Sequence, residues 1–180
     1  MSEPAEDEEL IGLAMHEAGH AIVADALGFD VRSIELRGEE SSTFLNAVVG
    51  CSGETESGAS DVTPDTDDIV LRAHSAAVAM AGREARRLRF PKADSEWHHL
   101  DLDDRSKALR LLRHERTRNQ LMSAPDDPAD EALLVVAVGE ARQILLHKRS
   151  VLDELAAALV RLGCPSRMTA ADILAIIQRS

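Results

Sequence analysis

The chain has 180 residues, of which 44% are hydrophobic, and this is enough apolar material for a single well-cored domain. Its formal net charge of −12 argues against a surface for nucleic-acid phosphates and against binding to an anionic membrane. Because the sequence shows neither a signal peptide nor an apolar run long enough to cross a bilayer, we expect one domain over residues 1–180 with a cytoplasmic location, no nucleic-acid partner and no membrane.

Aromatic and cysteine residues narrow the fold and the chemistry further. With no Tyr, one Trp and three Phe, the core must be built from Leu, Ala, Val and Ile, which suits helix-on-helix packing. Cys51 and Cys164 are far apart and outside any CxxC pair, so two reduced thiols are expected rather than a zinc–thiolate site. No GxxxxGK[ST] loop is present, which argues against P-loop binding of ATP.

The N-terminal part of the chain predicts an acidic tail followed by a helix. Residues 1–6 are expected to be a disordered, solvated tail, and the acidic residues that follow suit the positive end of a helix dipole. The apolar pattern predicts a helix from about Asp7 to Leu27, with Gly28 as its C-terminal stop.

This first helix carries the run His16-Glu17-Ala18-Gly19-His20, an HExxH pattern. Residues four apart share a helix face, so both imidazoles can reach one metal ion, and Glu17 lies about 100° further round the helix. The pattern is typical of zinc peptidases, in which the two histidines bind the metal and the glutamate is the general base. The alternative, a core helix with two hydrogen-bonded histidines, would bury a glutamate without a partner charge at considerable cost.

The next elements predict a small β element followed by further helices. Residues 31–36 and 43–49 alternate between apolar and polar side chains, as expected for two strands of a small two- or three-stranded sheet. The second of them is either an open edge that could pair with a peptide or an ordinary sheet strand. Together with the helices predicted in the rest of the chain, these strands predict a mainly α (α+β) fold.

Helix signals account for most of the remaining chain. Thr63 and the proline after it predict the start of a long helix that ends before Pro91, with an Ala-rich middle that allows close approach of another helix. Further helices are predicted over about residues 102–117 and about residues 129–162, the latter kinked near Ser150 and stopped by a glycine. Thr169 predicts the N-cap of a final short helix.

A catalytic zinc usually has three protein ligands, so the HExxH pattern leaves one ligand to be found. The extended HExxHxxGxxH form would need Gly at 23 and His at 26, where the chain has Val23 and Ala26, so this form is excluded. A form with a glutamate on a later helix has only Glu84 as a weak candidate.

Aspartates near residue 104 offer a better third ligand. Helical spacing places Asp103 on a polar face, whereas Asp104 shares a face with Ala108 and other apolar residues, and an inward aspartate needs a cation. We therefore predict Asp104 as the third ligand. Asp101, one turn earlier on nearly the same face, remains the alternative.

Two other groups of polar residues are interpreted without a role in this site. His98 and His99 are close to the aspartates in sequence, but an adjacent pair is more typical of a surface loop than of a metal site. A basic cluster is interpreted as a face of salt bridges because the chain is acidic overall; it consists of Arg83, Arg86, Arg87 and Arg89.

These segments, in this order, resemble the peptidase domain of the FtsH-type ATP-dependent zinc metalloproteases. The HExxH run and the residues after it, as far as Ala24, resemble the family's metal-binding helix. Residues 79–85 resemble the family's Gly-Gly-Arg-Ala-Ala-Glu segment. Asp104 resembles the aspartate of the family's Asn-Asp-Leu-x-x-Ala motif. Residues 140–176 resemble the family's C-terminal helices. The resemblance extends from about residue 8 to residue 178.

The resemblance implies a helical zinc-peptidase domain that lacks the family's ATPase module and membrane anchor. It implies Zn²⁺ bound by His16, His20 and Asp104, with Glu17 as catalytic base in peptide-bond hydrolysis by a metal-activated water. Expected substrates are unfolded protein segments or peptides, and a separate ATPase or a homo-oligomer is a candidate partner. The alternative function is a non-catalytic protein-binding or regulatory module on a peptidase-like fold.

Overall fold

The computed structural model describes residues 4–38, 45–52, 69–91, 98–113 and 128–179. Within these ranges the chain is mainly helical, as predicted, and carries one small sheet. In chain order the elements are α1 (Pro4–Ala26), β1 (Asp30–Gly38), β2 (Leu45–Ser52), α2 (Ile69–Arg89), α3 (His98–Leu112), α4 (Pro128–His147), α5 (Arg149–Leu162), β3 (Ser166–Thr169) and α6 (Ala170–Ile177).

Helix α1 lies at the centre of the fold. Residues 12–19 and 21–24 are all buried, because α1 packs against α2 and α5 and against the sheet. The helix begins at Pro4, so residues 4–6 of the expected disordered tail belong to it, where their acidic neighbours favour a helix start. It ends as predicted just before Gly28, whose φ of 81° suits a glycine.

The sheet is antiparallel, with β1 in the middle of the order β2-β1-β3. The two predicted strands pair with each other as β1 and β2, and β2 is an edge strand of the described sheet. A register shift between Val31 and Ser33 moves the inward face by one residue, so that Ile34 and Leu36 are buried after it. The third strand, β3, pairs with residues 33–36 of β1 from the far end of the chain.

The middle of α2 is rich in small residues, and α1 crosses it closely, as predicted. A Cβ atom on Gly19 would lie only 2.6 Å from the Ala85 Cβ atom and 2.7 Å from the Ala81 carbonyl oxygen. The other sides of α2 pack on α3 and α4. This crossing holds the face of α1 that carries His16 and His20 against α2. The predicted start of α2 at Thr63 lies outside the described residues.

The C-terminal helices agree with the predicted pattern, with shifted boundaries. The predicted helix 129–162 is divided into α4 and α5 at Lys148, two residues before the expected kink, and it stops at Gly163 as expected. The Thr169 hydroxyl accepts a hydrogen bond from the Asp172 backbone N–H and so caps α6. Helix α3 begins four residues earlier than predicted, and residues 114–117 of that prediction lie outside the described residues.

Among the described residues, no helix is both long enough and apolar enough to traverse a bilayer.

Candidate metal centre

Two helices bring three potential metal ligands together. Helix α1 contributes His16 and His20, and α3 contributes Asp104, although α1 and α3 are far apart in the sequence. The two Nε2 atoms are 3.1 Å apart. Asp104 places its Oδ2 atom 3.6 Å from His16 Nε2 and its Oδ1 atom 3.7 Å from His20 Nε2. One ligand atom from each residue therefore lies within 4.8 Å of the others.

The ring of His20 is oriented by the backbone of α2. Its Nδ1 atom lies 2.7 Å from the carbonyl oxygen of Val78, which can only accept a hydrogen bond. Nδ1 must therefore carry the proton, and this leaves the lone pair of Nε2 directed at the other two ligands. The His16 ring stands edge-on to it, with centroids 4.6 Å apart and an angle of 87° between the planes.

Gly82 of α2 makes the space in which both rings lie. A Cβ atom at this position would be 2.5 Å from Nδ1 and Cε1 of His16 and 2.6 Å from Nε2 of His20. These distances are shorter than any van der Waals contact, so a larger residue could not be accommodated without moving a ring or the helix. The absence of a side chain at Gly82 is thus part of the site.

Glu17 lies beside the three ligands in the same buried environment. Its Oε1 atom is 3.8 Å from His16 Nε2, and only 4% of the residue is exposed. Burial raises the pKa of Glu17 to about 7; the nearby Asp104 charge adds to this effect, while His20, Lys107 and Arg86 oppose it. A cation held by the three ligands would favour the ionised carboxylate.

Burial also keeps the histidine that faces Val78 neutral. Desolvation is the main reason that the pKa of His20 is lowered, and the charge of Glu17 and the hydrogen bond to Val78 only partly oppose it. A neutral imidazole is the form that binds a metal. The site is therefore ready to bind a cation near neutral pH without first losing a proton from His20.

The ligand geometry fits a zinc ion. Ligand atoms about 2.1 Å from a tetrahedral zinc are roughly 3.4 Å apart. The two Nε2 atoms here are 3.1 Å apart, and the two oxygens of the Asp104 carboxylate lie 3.6 Å from His16 Nε2 and 3.7 Å from His20 Nε2, respectively. Two imidazole nitrogens and a carboxylate oxygen are a donor set that zinc accepts. A divalent cation would also balance the two carboxylates, Glu17 and Asp104, that are buried together here.

The other candidate ligands are placed differently or are not described. Glu84 is buried but pairs with Arg87 at 3.4 Å and Arg142 at 4.0 Å, and it is not part of the three-ligand group. Asp101 belongs to α3, yet its side chain lies outside the described residues. The same is true of the side chains of His98 and His99.

The basic cluster on α2 contains a salt bridge of the predicted kind, but its arginines are not equally exposed. Arg87 does pair with Glu84, but Arg86 is only 4% exposed and its charge acts on Glu17. Successive arginines at the C-terminal end of α2 have different surroundings because α2 packs against other helices on several sides.

Sequence reasoning missed the contribution of α2 to the site. Val78 orients one ligand and Gly82 makes room for two, but neither has a side chain with metal chemistry. The only available signal was the run of small residues around Gly82, which indicated close helix packing without indicating what packs there.

No model of a known protein family matches the chain, and no curated protein sequence matches it.

Proposed function

We propose that the chain is a zinc-dependent metallopeptidase with an FtsH-like peptidase domain. The observation that carries the proposal is the convergence of His16, His20 and Asp104 on one point, with Glu17 of the HExxH run beside them. An HExxH pattern alone can occur in a sequence by chance. The approach of a buried aspartate from a second helix is an independent feature, and it is the residue that the pattern required.

Each residue has a defined role in this proposal. His16 and His20 would hold the ion through their Nε2 atoms and Asp104 through a carboxylate oxygen. When bound, zinc would act as a Lewis acid that lowers the pKa of a water to near neutrality and polarises a peptide carbonyl. The Glu17 carboxylate accepts a proton from the attacking water and then donates it to the leaving amine. Val78 fixes the tautomer of His20 throughout.

Unfolded protein segments or peptides are the proposed substrates. The edge strand β2 packs against α1, the helix that carries the HExxH run. An extended peptide can add to such an edge through main-chain hydrogen bonds, which are available only when the substrate is unfolded there. Folded substrates would need a separate ATPase to unfold them.

A structural zinc site in a non-catalytic module is the alternative, and the ligand count argues against it. Structural zinc sites are usually closed by four protein ligands. Among the described residues, the group contains three, which is the number typical of a catalytic site with an open position. A glutamate next to the ligands is also not needed for structure.

Substitution of Asp104 tests the proposed site directly. We expect purified wild-type protein to contain about one zinc per chain and the Asp104→Ala protein to lose most of it, because two histidines alone form an incomplete site. Elemental analysis after dialysis measures the zinc content, and cleavage of a peptide library measures the activity.

Asp103→Ala is the matched control, since Asp103 is the exposed neighbour of Asp104 on the same helix. It should keep both zinc and cleavage. A wild-type protein that takes up no metal even when zinc is supplied would contradict the proposal, as would equal zinc content in the Asp104→Ala and Asp103→Ala proteins.

A further inference from the structure

The third proposed metal ligand reaches the site from a helix that is held in place by other helices. His16 and His20 belong to α1, whereas Asp104 belongs to α3. Among the described elements, α3 packs mainly on α2 and less extensively on α4. The position of the Asp104 carboxylate therefore depends on the contacts that fix α3 to these two helices.

Before an ion binds, the buried position of Asp104 is electrostatically unfavourable. Glu17 Oε1 lies 3.8 Å from His16 Nε2, and Asp104 Oδ2 lies 3.6 Å from the same atom. Both acidic residues are buried, and two carboxylates in one buried site repel each other. This repulsion favours movement of α3 away from α1, so other contacts of α3 must offset it if the site is to be formed before the ion arrives.

Two ion pairs fasten α3 to the first turn of α4. The Arg105 guanidinium pairs with the Glu131 carboxylate, and Arg113 Nε lies 3.4 Å from Asp130 Oδ2. The Arg113 and Asp130 side chains are only 15% and 18% exposed, so salt screens this pair less than it screens a pair at the open surface. We call these four side chains the α3–α4 clamp.

The clamp holds α3 at two separate points. Arg105 directly follows Asp104, and Arg113 lies about 12 Å further along the helix axis. Two attachment points at this distance restrain both translation and rotation of α3. Arg72 of α2 adds a hydrogen bond from its Nη1 atom to the Leu112 carbonyl oxygen, at 3.1 Å, where the helix leaves its last carbonyl groups without intrahelical partners.

We infer that the α3–α4 clamp positions the third metal ligand. Asp130 and Glu131 are its fixed points on α4, and through the two arginines they keep Asp104 beside the histidines of α1. The inference rests on the proposed metal site and deepens it, because it assigns the preorganisation of the site to residues that touch neither the ion nor a substrate. Loss of the clamp would lower the fraction of molecules with an assembled site, and the apparent zinc affinity would fall by the same factor.

The zinc affinity of an Arg105→Gln, Arg113→Gln protein tests the clamp, because the direction of the change separates positioning from long-range charge. Removal of positive charge from a helix beside a cation site would by itself strengthen zinc binding. Loss of the clamp should instead weaken it by about threefold to thirtyfold, as expected for two partly exposed ion pairs. Arg105→Gln alone should give a smaller change in the same direction.

Two further variants control this result. Arg105→Lys combined with Arg113→Lys should retain most of the wild-type affinity, since lysine can keep both ion pairs. Arg110→Gln is the matched control, because Arg110 is an exposed arginine of the same helix outside the clamp. It should not weaken zinc binding. Competition with a chromophoric chelator measures all of these affinities.

Amide hydrogen exchange of the metal-free protein tests the clamp without zinc. In the Arg105→Gln, Arg113→Gln protein, we expect the amides of α3 to exchange about threefold to thirtyfold faster than in the wild type, because α3 opens locally more often. The amides of α1 should exchange at the wild-type rate, since the clamp does not include that helix.

The inference is overturned if the Arg105→Gln, Arg113→Gln protein binds zinc as tightly as the wild type or more tightly, or if its α3 amides exchange no faster. It is overturned equally if Arg110→Gln weakens binding to the same extent. In each of these cases, zinc binding by the wild type that is lost in the Asp104→Ala protein would still support the proposed function. A wild type that binds no zinc would overturn both.

Discussion

Replacement of Glu17 by Gln is expected to reduce peptide cleavage by at least about a hundredfold while zinc remains bound. Glutamine has nearly the same size and shape as glutamate, but its amide cannot accept the proton that the attacking water must lose. The three proposed ligands, His16, His20 and Asp104, are unchanged, so the site should still be loaded. Turnover of a peptide substrate and elemental analysis of the same preparation give the two quantities.

Glu8→Gln is the control for this result, because Glu8 is an exposed glutamate on the same helix. It should leave both cleavage and zinc content unchanged. If Glu17→Gln keeps full cleavage, the proposed general base is wrong. If it retains a biological activity of the protein but not peptide cleavage, the non-catalytic alternative gains support.

Gly82→Ala is expected to weaken zinc binding by roughly tenfold to a hundredfold, although Gly82 is not a ligand. The added methyl group would lie 2.5 Å from two atoms of the His16 ring and 2.6 Å from His20 Nε2. The rings or the helix must move, and overpacking of this kind also costs about 1–3 kcal/mol of unfolding free energy. Zinc affinity can be measured by competition with a chromophoric chelator, and stability by denaturant unfolding of the metal-free protein.

Gly139→Ala separates the effect of crowding from the general effect of replacing a helical glycine. Its Cβ atom would meet nothing within 4 Å among the described residues, so zinc affinity should not change. Its unfolding free energy should rise by up to about 1 kcal/mol, because alanine is the better helix former. Equal zinc affinity in the two variants would show that the rings do not depend on the space at Gly82.

The parts of this structure that were predictable from the sequence depend on local periodicity. Helix α1 and the inward position of Asp104 follow from spacing along one helix, and the β1–β2 hairpin follows from alternation in two neighbouring segments. The register shift after Val31 was not predictable, because a bulge depends on the partner strand as well as on the sequence around it.

The contribution of α2 to the site could not be predicted for a related reason. The hydrogen bond from His20 uses the carbonyl group of Val78, which every residue type would provide equally. The crossing of α1 and α2 decides which carbonyl group and which glycine meet the histidines. These contacts depend on how the two helices pack in three dimensions. They cannot be predicted from the spacing of residues along one sequence.

The position of β1 between β2 and β3 has a consequence for the order in which the chain can fold. The hairpin with β2 is local, but in the described sheet the second edge of β1 pairs with residues 166–169, more than a hundred residues later. Closing so long a loop costs entropy, so this pairing should form late. Until residues 166–169 have left the ribosome, β1 keeps unpaired backbone groups that can join strands of other chains. The nascent protein is thus open to strand addition at β1, which packs against the helix that carries His16 and His20.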